Sequence, residues 1–480
     1  MALAQNVSES VTDEVLTTPP SLSSEHLRLP RSTKGTDEEE MMTKNGKDLT
    51  TVALRDLGYP TFLTKEEFGI FRKFRDAVST RNQEFRSTVF PFQEALEDEA
   101  YALCRWLRAR KFNLNETLKK VEDAMKLSHD LRHQEFYPNP DVALGVEESF
   151  FKKEVPEMYY SSRARSGHPI FIAKLGAMNP DAFTCVTTLN GFVAYHWHVM
   201  MHKFTEVMKD CAKTTNGDFK RYECFCIIDL KGVNTALLSK RVHTVVKAQS
   251  EIDLLCFPET LDRLVIVNAP STFSVAWKII RGWIDARTAS KIDILGRSQP
   301  KNFKLLSELV DENSLPSDYG GRGISFDECF RADIIESYKK SEDGNSRGME
   351  VQNIETYLMS ARPKASQKLT LKADEVIKLS IFTRSSTGCS LIIKDSKDQI
   401  LSCISEGGIA IQHKSSSGLD ANEVPSRYDL EKLGILLQKP DTYSVHLKSN
   451  GGRKRKEFFL LVATELRVSS CDQLGSTNSS

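Results

Sequence analysis

Between Thr64 and about residue 135, apolar positions recur at helical spacing. Thr64-Lys-Glu-Glu67 has the form of a capping box and predicts a helix start. Leu96, Ala100, Leu103 and Leu107 mark one face of a second helix, and Leu118, Val121 and Met125 mark a third, with Asn115 as its expected cap. From 145 to 325 the texture changes to short apolar runs separated by helical stretches: Pro169-Ile-Phe-Ile-Ala173, Cys224-Phe-Cys-Ile-Ile-Asp-Leu230, Leu264-Val-Ile-Val267 and Ile292-Asp-Ile-Leu295. Runs of this kind are strands buried on both faces, and their alternation with helices predicts an α/β domain with a largely parallel sheet. Past residue 350 the period drops to two. Ile377, Leu379 and Ile381 alternate with polar neighbours, as do Tyr443, Val445 and Leu447, and Asn450-Gly451-Gly452 supplies a turn.

The fold class expected is therefore multidomain, α/β plus all-β. A tail at 1–55, rich in Ser, Thr and acidic residues, is expected to be disordered. A helical N-lobe spans 60–135, the α/β domain 145–325, a charged linker 326–350, a β-sandwich 351–466 and a second disordered tail 467–480.

Composition narrows the function classes. Lys and Arg (65) balance Asp and Glu (65), so no global field favours nucleic acid. The ten cysteines contain no CxxC, which argues against zinc ribbons and disulfide frameworks. No basic-then-apolar leader is present, and no apolar run approaches the ~20 residues of a membrane span, so a cytoplasmic protein with only peripheral membrane contact is expected.

Enzyme motifs are absent. No GxGxxG follows a strand, and GxxxxGK[ST], GxSxG and HExxH do not occur, so neither catalytic residues nor a cofactor is expected. Cys104 and Arg110 form a C-x5-R spacing, but inside a periodic helix whose amides are already used. His198 and His202 share a helical face beside His196, yet no Asp, Glu or Cys in the same turns completes a ligand set, and no metal is expected.

One segment leaves two readings open. After Asn268-Ala269-Pro270, Phe273, Trp277, Ile280 and Ile284 form one stripe, with Lys278, Arg281 and Arg287 elsewhere. Such a helix can pack on the sheet as ordinary core, or its tryptophans and basic residues can suit a membrane interface and let it swing over an apolar cavity.

The stretch from Tyr101 to about Gly323 resembles the CRAL-TRIO lipid-binding family, in particular its phosphatidylinositol-transfer branch. Matching signatures are Arg105-Trp-Leu-Arg-Ala-Arg-Lys-Phe112, Gly167-His-Pro-Ile-Phe171 with Lys174-Leu-Gly176, Ile228-Asp-Leu-Lys-Gly232, Pro258-Glu259, Ile266-Val-Asn-Ala-Pro270, Ser290-Lys-Ile292, and Leu315-Pro316 followed by Tyr319-Gly-Gly321. The resemblance implies a helical N-lobe, a sheet lining an acyl pocket, and a gate helix carrying Phe273, Trp277, Ile280 and Ile284. It also implies that Lys111, Glu259, Thr288 and Lys291 hold an inositol-phosphate headgroup, the ammonium and hydroxyl groups donating to phosphate while the carboxylate accepts from ring hydroxyls.

At the family's phosphatidylcholine site Tyr160 matches one tyrosine, but Phe171, Cys224 and Cys226 replace hydroxyl-bearing residues. A second hydrophobic ligand is the expectation there. The C-terminal segment looks like the GOLD-type sandwich of patellin-like proteins, and Arg453-Lys-Arg-Lys456 beside its expected hairpin could touch anionic lipid or guard an edge strand.

The implied function is phospholipid binding and transfer or presentation, in phosphoinositide signalling and vesicle trafficking on Golgi or endosomal membranes. The alternative is a trafficking adaptor that uses bound lipid only as an address. A lipid kinase or trafficking protein is the candidate partner, and nucleic acid is not.

Overall fold

The computed structural model describes residues 56–92, 97–132, 136–214, 221–233, 240–282, 284, 286–340, 349–360, 366–370, 375–383, 389–404, 426–429, 437, 439–449 and 459–469. The expected tail at 1–55, most of that at 467–480, the Asn450 turn and the Arg453–Lys456 run lie outside these residues.

The N-lobe consists of α1 (Lys65–Thr80), α2 (Gln83–Val89), α3 (Glu99–Arg108) and α4 (Leu114–Arg132). The capping box forms as expected, with Thr64 Oγ1 accepting from the Glu67 amide at 3.1 Å and Glu67 Oε2 accepting from the Thr64 amide at 2.8 Å. The cap of α4 is Asn113 rather than Asn115, because the helix starts at Leu114 and Asn113 Oδ1 accepts from the Glu116 amide at 3.1 Å. Phe71, Phe74, Phe85, Leu103, Trp106 and Leu107 are at most 1% exposed and form the lobe's interior.

Short helices α5 (Pro140–Leu144) and α6 (Glu148–Glu154) lead into β1 (Glu157–Arg163) and β2 (Pro169–Ala173). Then follow α7 (Pro180–Val186), α8 (Leu189–His198), a π-helical turn (Val199–Lys203), α9 (Phe204–Thr214), β3 (Cys224–Asp229), α10 (Lys240–Cys256), β4 (Leu261–Val267), α11 (Phe273–Arg281), α12 (Ala286–Ser290), β5 (Ile292–Ile294) and α13 (Gln299–Leu309). The sheet order is β1-β2-β3-β4-β5, antiparallel between β1 and β2 and parallel thereafter. The sheet is thus mixed at one edge and otherwise as expected.

Strand alternation sorts its side chains onto two faces. One carries Tyr160, Ile170, Ile172, Phe225, Ile227 and Val265, packed with Leu306 and Phe326 in one core cluster. The other carries Phe171, Cys224 and Cys226, in a second cluster with the N-lobe and with Trp197 and Phe204.

The segment expected as a linker instead holds a helix, α14 (Phe326–Lys340), packed against α6, β1 and β6 (Met349–Ser360). Phe326, Phe330, Ile334 and Tyr338 recur every fourth residue and are all buried, so an apolar stripe runs through the charged composition. Beyond β6, strands β7 (Ser366–Thr370), β8 (Glu375–Thr383), β9 (Cys389–Lys394), β10 (Ile400–Ile404), β11 (Ser426–Asp429), β12 (Thr442–Ser449) and β13 (Phe459–Ser469) build two four-stranded antiparallel sheets, ordered β10-β9-β12-β7 and β11-β8-β13-β6. Phe382 of β8 packs at a tilt against Phe150 of α6, ring centroids 5.2 Å apart, and Lys153 pairs with Glu355 at 3.2 Å.

Candidate functional site

The RWLRARKF motif turns out to be structural at one end and electrostatic at the other. Arg105 pairs with Glu97 at 2.8 Å and also donates to the Pro258 carbonyl at 3.1 Å, while Trp106 Nε1 donates to the Val89 carbonyl at 2.9 Å. Arg105 thereby fixes the loop between α10 and β4. The next residue in that loop, Glu259, sits at φ 59°. Its carboxylate meets Lys291 Nζ at 3.2 Å and Arg108 Nη2 at 3.4 Å, and Lys291 also donates to the Leu261 carbonyl at 2.5 Å.

Glu223, one residue ahead of β3, joins the cluster, 3.8 Å from Arg108 and 3.9 Å from Lys291. It accepts a hydrogen bond from the Tyr59 hydroxyl and lies 3.5 Å from His168 Nε2. Burial by itself would push the Glu223 carboxyl up, but the nearby His168 and the charges of Lys291 and Arg108 outweigh it and hold the group at about 2. All four charged side chains are at most 6% exposed. Because the pairs are mutually compensated, their charges persist without water.

Of the four residues expected at the headgroup, Glu259 and Lys291 are in direct contact. Thr288 stands one turn away in α12, its carbonyl accepting from the Lys291 amide at 3.1 Å. Lys111 stands exposed in the left-handed turn after α3, at φ 49°, and the cation of that motif that reaches Glu259 is Arg108. Sequence reasoning missed Arg108, Glu223 and Tyr59. Arg108 lay in the quoted motif, but which of its four basic residues turns inward depends on helix phase against the sheet, and Glu223 has no local signature.

A cavity of about 1040 Å3 opens on the sheet face that carries Phe171. Met158, Tyr159, Phe171 and Val199 line part of it, and Glu148, Lys152, Tyr195 and Lys203 line another part. The π-helical turn contributes Val199, His202 and Lys203 to the wall. Glu148 accepts from the Tyr195 hydroxyl at 2.5 Å, from Ser337 Oγ at 3.2 Å and from Lys203. Burial alone would raise its carboxyl, but Lys203 and Lys152 hold it at about 2. Glu157 goes the other way. Burial raises it to about 7 against the opposing charges of His196 and Lys203.

Among the residues expected at the second-ligand pocket, Phe171 lines the cavity and Cys226, its neighbour in register, shares its face. Cys224 is buried on that face as well, 3.9 Å from Cys226 between sulfurs. Tyr160 points to the opposite face, where its hydroxyl donates to the Ile324 carbonyl at 2.6 Å. The tyrosine beside Phe171 is Tyr159, with ring centroids 5.1 Å apart. The two adjacent tyrosines are indistinguishable until the register Tyr159↔Phe171 assigns their faces.

The α11 stripe expected to form a gate is only half-buried. Phe273, Trp277, Ile280 and Ile284 all keep intermediate exposure, as do Leu264 and Ile292, and Ile294 is 38% exposed. Apolar surface is therefore left uncovered on both α11 and the β4–β5 end of the sheet.

The histidines expected not to bind metal turn to different partners: His196 Nε2 to Asp253 at 2.7 Å, and His198 Nδ1 to the Tyr137 carbonyl at 2.7 Å. Burial lowers His198 to about 4, so it is neutral at pH 7. Among the described residues, His168, Glu223 and Asp262 bring possible ligand atoms within 4.8 Å of one another, but Arg108 and Lys291 beside Glu223 already supply the positive charge a cation would bring.

Residues 157–321 match the CRAL/TRIO domain family. The chain is 29% identical over 255 residues to the phosphatidylinositol/phosphatidylcholine transfer protein SFH9 of Arabidopsis thaliana, covering 50% of this chain and 42% of that one. It is 30% identical over 223 residues to SFH11 of the same plant, covering 46% and 56%. It is 27% identical over 266 residues to the SEC14 cytosolic factor of Kluyveromyces lactis, covering 55% and 81%. The chain thus spans about two fifths to four fifths of the length of these relatives. Residues 157–321, the part similar to the CRAL/TRIO domain, hold the mixed sheet with helices packed on both its faces, and lie between a helical lobe and a pair of C-terminal β-sheets.

Proposed function

We propose that the chain binds a phospholipid, with phosphatidylinositol as the preferred ligand, and exchanges or presents it at membranes without catalysing a reaction on it. The observation that carries this reading is the buried Lys291–Glu259 pair at 3.2 Å, beside Arg108 and Thr288, at the rim of a sheet whose apolar face is left half-covered. A phosphate can take the cations and an inositol hydroxyl can donate to the carboxylate, so both members of the pair gain a new partner when they separate.

Two acyl chains of about 30 methylenes at ~0.8 kcal/mol each represent roughly 25 kcal/mol of exposure cost, so a carrier must enclose them. The half-buried stripe of α11 supports its assignment as the gate. The cavity beside Phe171 and Tyr159 suits a second amphiphile with a neutral or zwitterionic head, because its buried lysines are already balanced by Glu148 and Asp333. No helix among the described residues is long and apolar enough to cross a membrane. We assign the chain a cytoplasmic, peripheral role on intracellular membranes, and its two C-terminal sheets a GOLD-like role in partner binding. Lys111, exposed beside the cluster, becomes a contact for the membrane-facing side of the headgroup.

The test is extraction. Full-length protein is incubated with phosphatidylcholine vesicles containing phosphatidylinositol, reisolated, and its lipid identified by mass spectrometry for wild type, Glu259→Gln and Lys291→Met. Wild type should retain phosphatidylinositol and both folded variants should lose it. Retention unchanged in both variants overturns the headgroup assignment, and binding without transfer between vesicles favours the adaptor.

A further inference from the structure

Three arginines from three parts of the fold converge on one short stretch, Asp56–Tyr59, just ahead of α1. Arg221 Nη1 meets the Asp56 carboxylate at 2.8 Å. Arg108 Nε and Arg287 Nη1 both donate to the Leu57 carbonyl, at 3.1 and 3.4 Å. The guanidinium carbons of Arg108 and Arg221 lie 3.5 and 4.1 Å from the centroid of the Tyr59 ring, and the Tyr59 hydroxyl donates to Glu223. Gly58 is buried at φ 80°, where a Cβ would fall 2.8 Å from the Phe112 ring and 2.9 Å from Arg108 Cγ, so the chain is pressed flat against the cluster.

The same arginines border the headgroup cluster. Arg108 is the second cation on Glu259, Arg221 stands two residues from Glu223, and Arg287 is next to Thr288. With the stretch in place, Arg108 and Lys291 have side chains at most 3% exposed, which leaves no path for a phosphate. What the stretch offers the arginines is an aromatic face together with a carboxylate and a carbonyl oxygen, and the last two are oxygen acceptors of the kind a phosphodiester would otherwise supply. It is also the outer layer, since Asp56 and Leu57 are only partly buried. Replacing the Asp56 carboxylate with one phosphodiester leaves the local charge unchanged.

We propose that Asp56–Tyr59 is an internal stand-in for the lipid phosphate, and that Arg108, Arg221 and Arg287 bind the headgroup phosphodiester once the stretch is displaced. The inference rests on the headgroup reading above and adds a ligand class for three arginines together with the step that exposes them. Displacement is reversible because the outer contact, Asp56 to Arg221, joins two side chains about a quarter exposed, where an ion pair is weak.

Hydrogen exchange on the full chain tests it, with phosphatidylcholine vesicles lacking or containing phosphatidylinositol, and with bound lipid quantified in the same samples. Peptides covering residues 56–63 should lose protection only with phosphatidylinositol. Asp56→Ala should speed phosphatidylinositol transfer by roughly two- to fivefold, the range of a partly exposed ion pair. Tyr59→Phe keeps the ring over both guanidinium groups, so it folds while loosening the stretch, and should shift exchange in the same direction. If phosphatidylinositol is bound while protection at 56–63 is unchanged and both variants transfer at the wild-type rate, the stand-in is refuted and the headgroup reading survives. If phosphatidylinositol is not bound at all, both fall. Loss of protection with phosphatidylcholine alone overturns the proposal in favour of opening by the membrane surface.

Discussion

Replacing Glu148 with Gln removes one charge from a cluster that the tertiary structure has made nearly dry. Glu148 and Lys152 have side chains 7% and 4% exposed, and Lys203, 27% exposed, reaches the same carboxylate. The fall of this carboxyl from its ordinary 4.5 to about 2 corresponds to about 3 kcal/mol of stabilisation by its partners. Since the folded value lies below the unfolded one, that stabilisation is complete above pH ~4.5 and is lost as pH falls toward 2.

Glu148→Gln should therefore cost about 3 kcal/mol at pH 7, because Lys203 loses its carboxylate partner and Lys152 keeps only Asp333. The double variant Glu148→Gln/Lys203→Gln should recover much of the loss. Hydrogen exchange in α6 and β1 is the suitable assay, since it reads local opening without treating a multidomain chain as two-state. A cost below ~0.5 kcal/mol at pH 7, a cost equal at pH 7 and pH 3.5, or no recovery in the double variant would refute the electrostatic account.

Glu157 carries the opposite sign. Raised to about 7 by burial, it favours its protonated form in the folded state, so its penalty grows as pH rises from its unfolded value of 4.5 through 7. Glu157→Gln should raise the melting temperature at pH 8 by about 2–4 °C and change it little at pH 4, measured by differential scanning fluorimetry. At Gly176, in the Lys174-Leu-Gly176 motif, a Cβ would fall 2.1 Å from the backbone carbonyl oxygen of Lys231. Gly176→Ala must therefore separate two backbone segments and should cost about 2 kcal/mol or more, read from urea-induced loss of tryptophan fluorescence. A variant as stable as wild type would mean that the single 3₁₀ turn at Leu175–Ala177 yields freely.

Much of this molecule was legible along the chain. Apolar runs named four of the five strands of the sheet, because strands buried on both faces need apolar side chains at every position, and the period-two segments at Ile377–Ile381 and Tyr443–Leu447 became β8 and β12. The capping box at Thr64 formed as written, since cap hydrogen bonds involve residues three apart. The stripe on α14 was equally local and was masked only by the charges around it.

Contacts between distant segments were not legible. Tyr159 and Tyr160 have the same chemistry, and pairing with β2 alone sent one to the cavity and the other to the opposite core. Likewise, four basic residues in one motif were equivalent until α3 docked on the sheet and turned Arg108, rather than Lys111, toward Glu259 from 151 positions later in the chain, with Glu223 and Tyr59 arriving from elsewhere. Periodicity is set by neighbours a few residues apart and survives in one dimension. The meeting of charges is set by packing and register, and exists only in three.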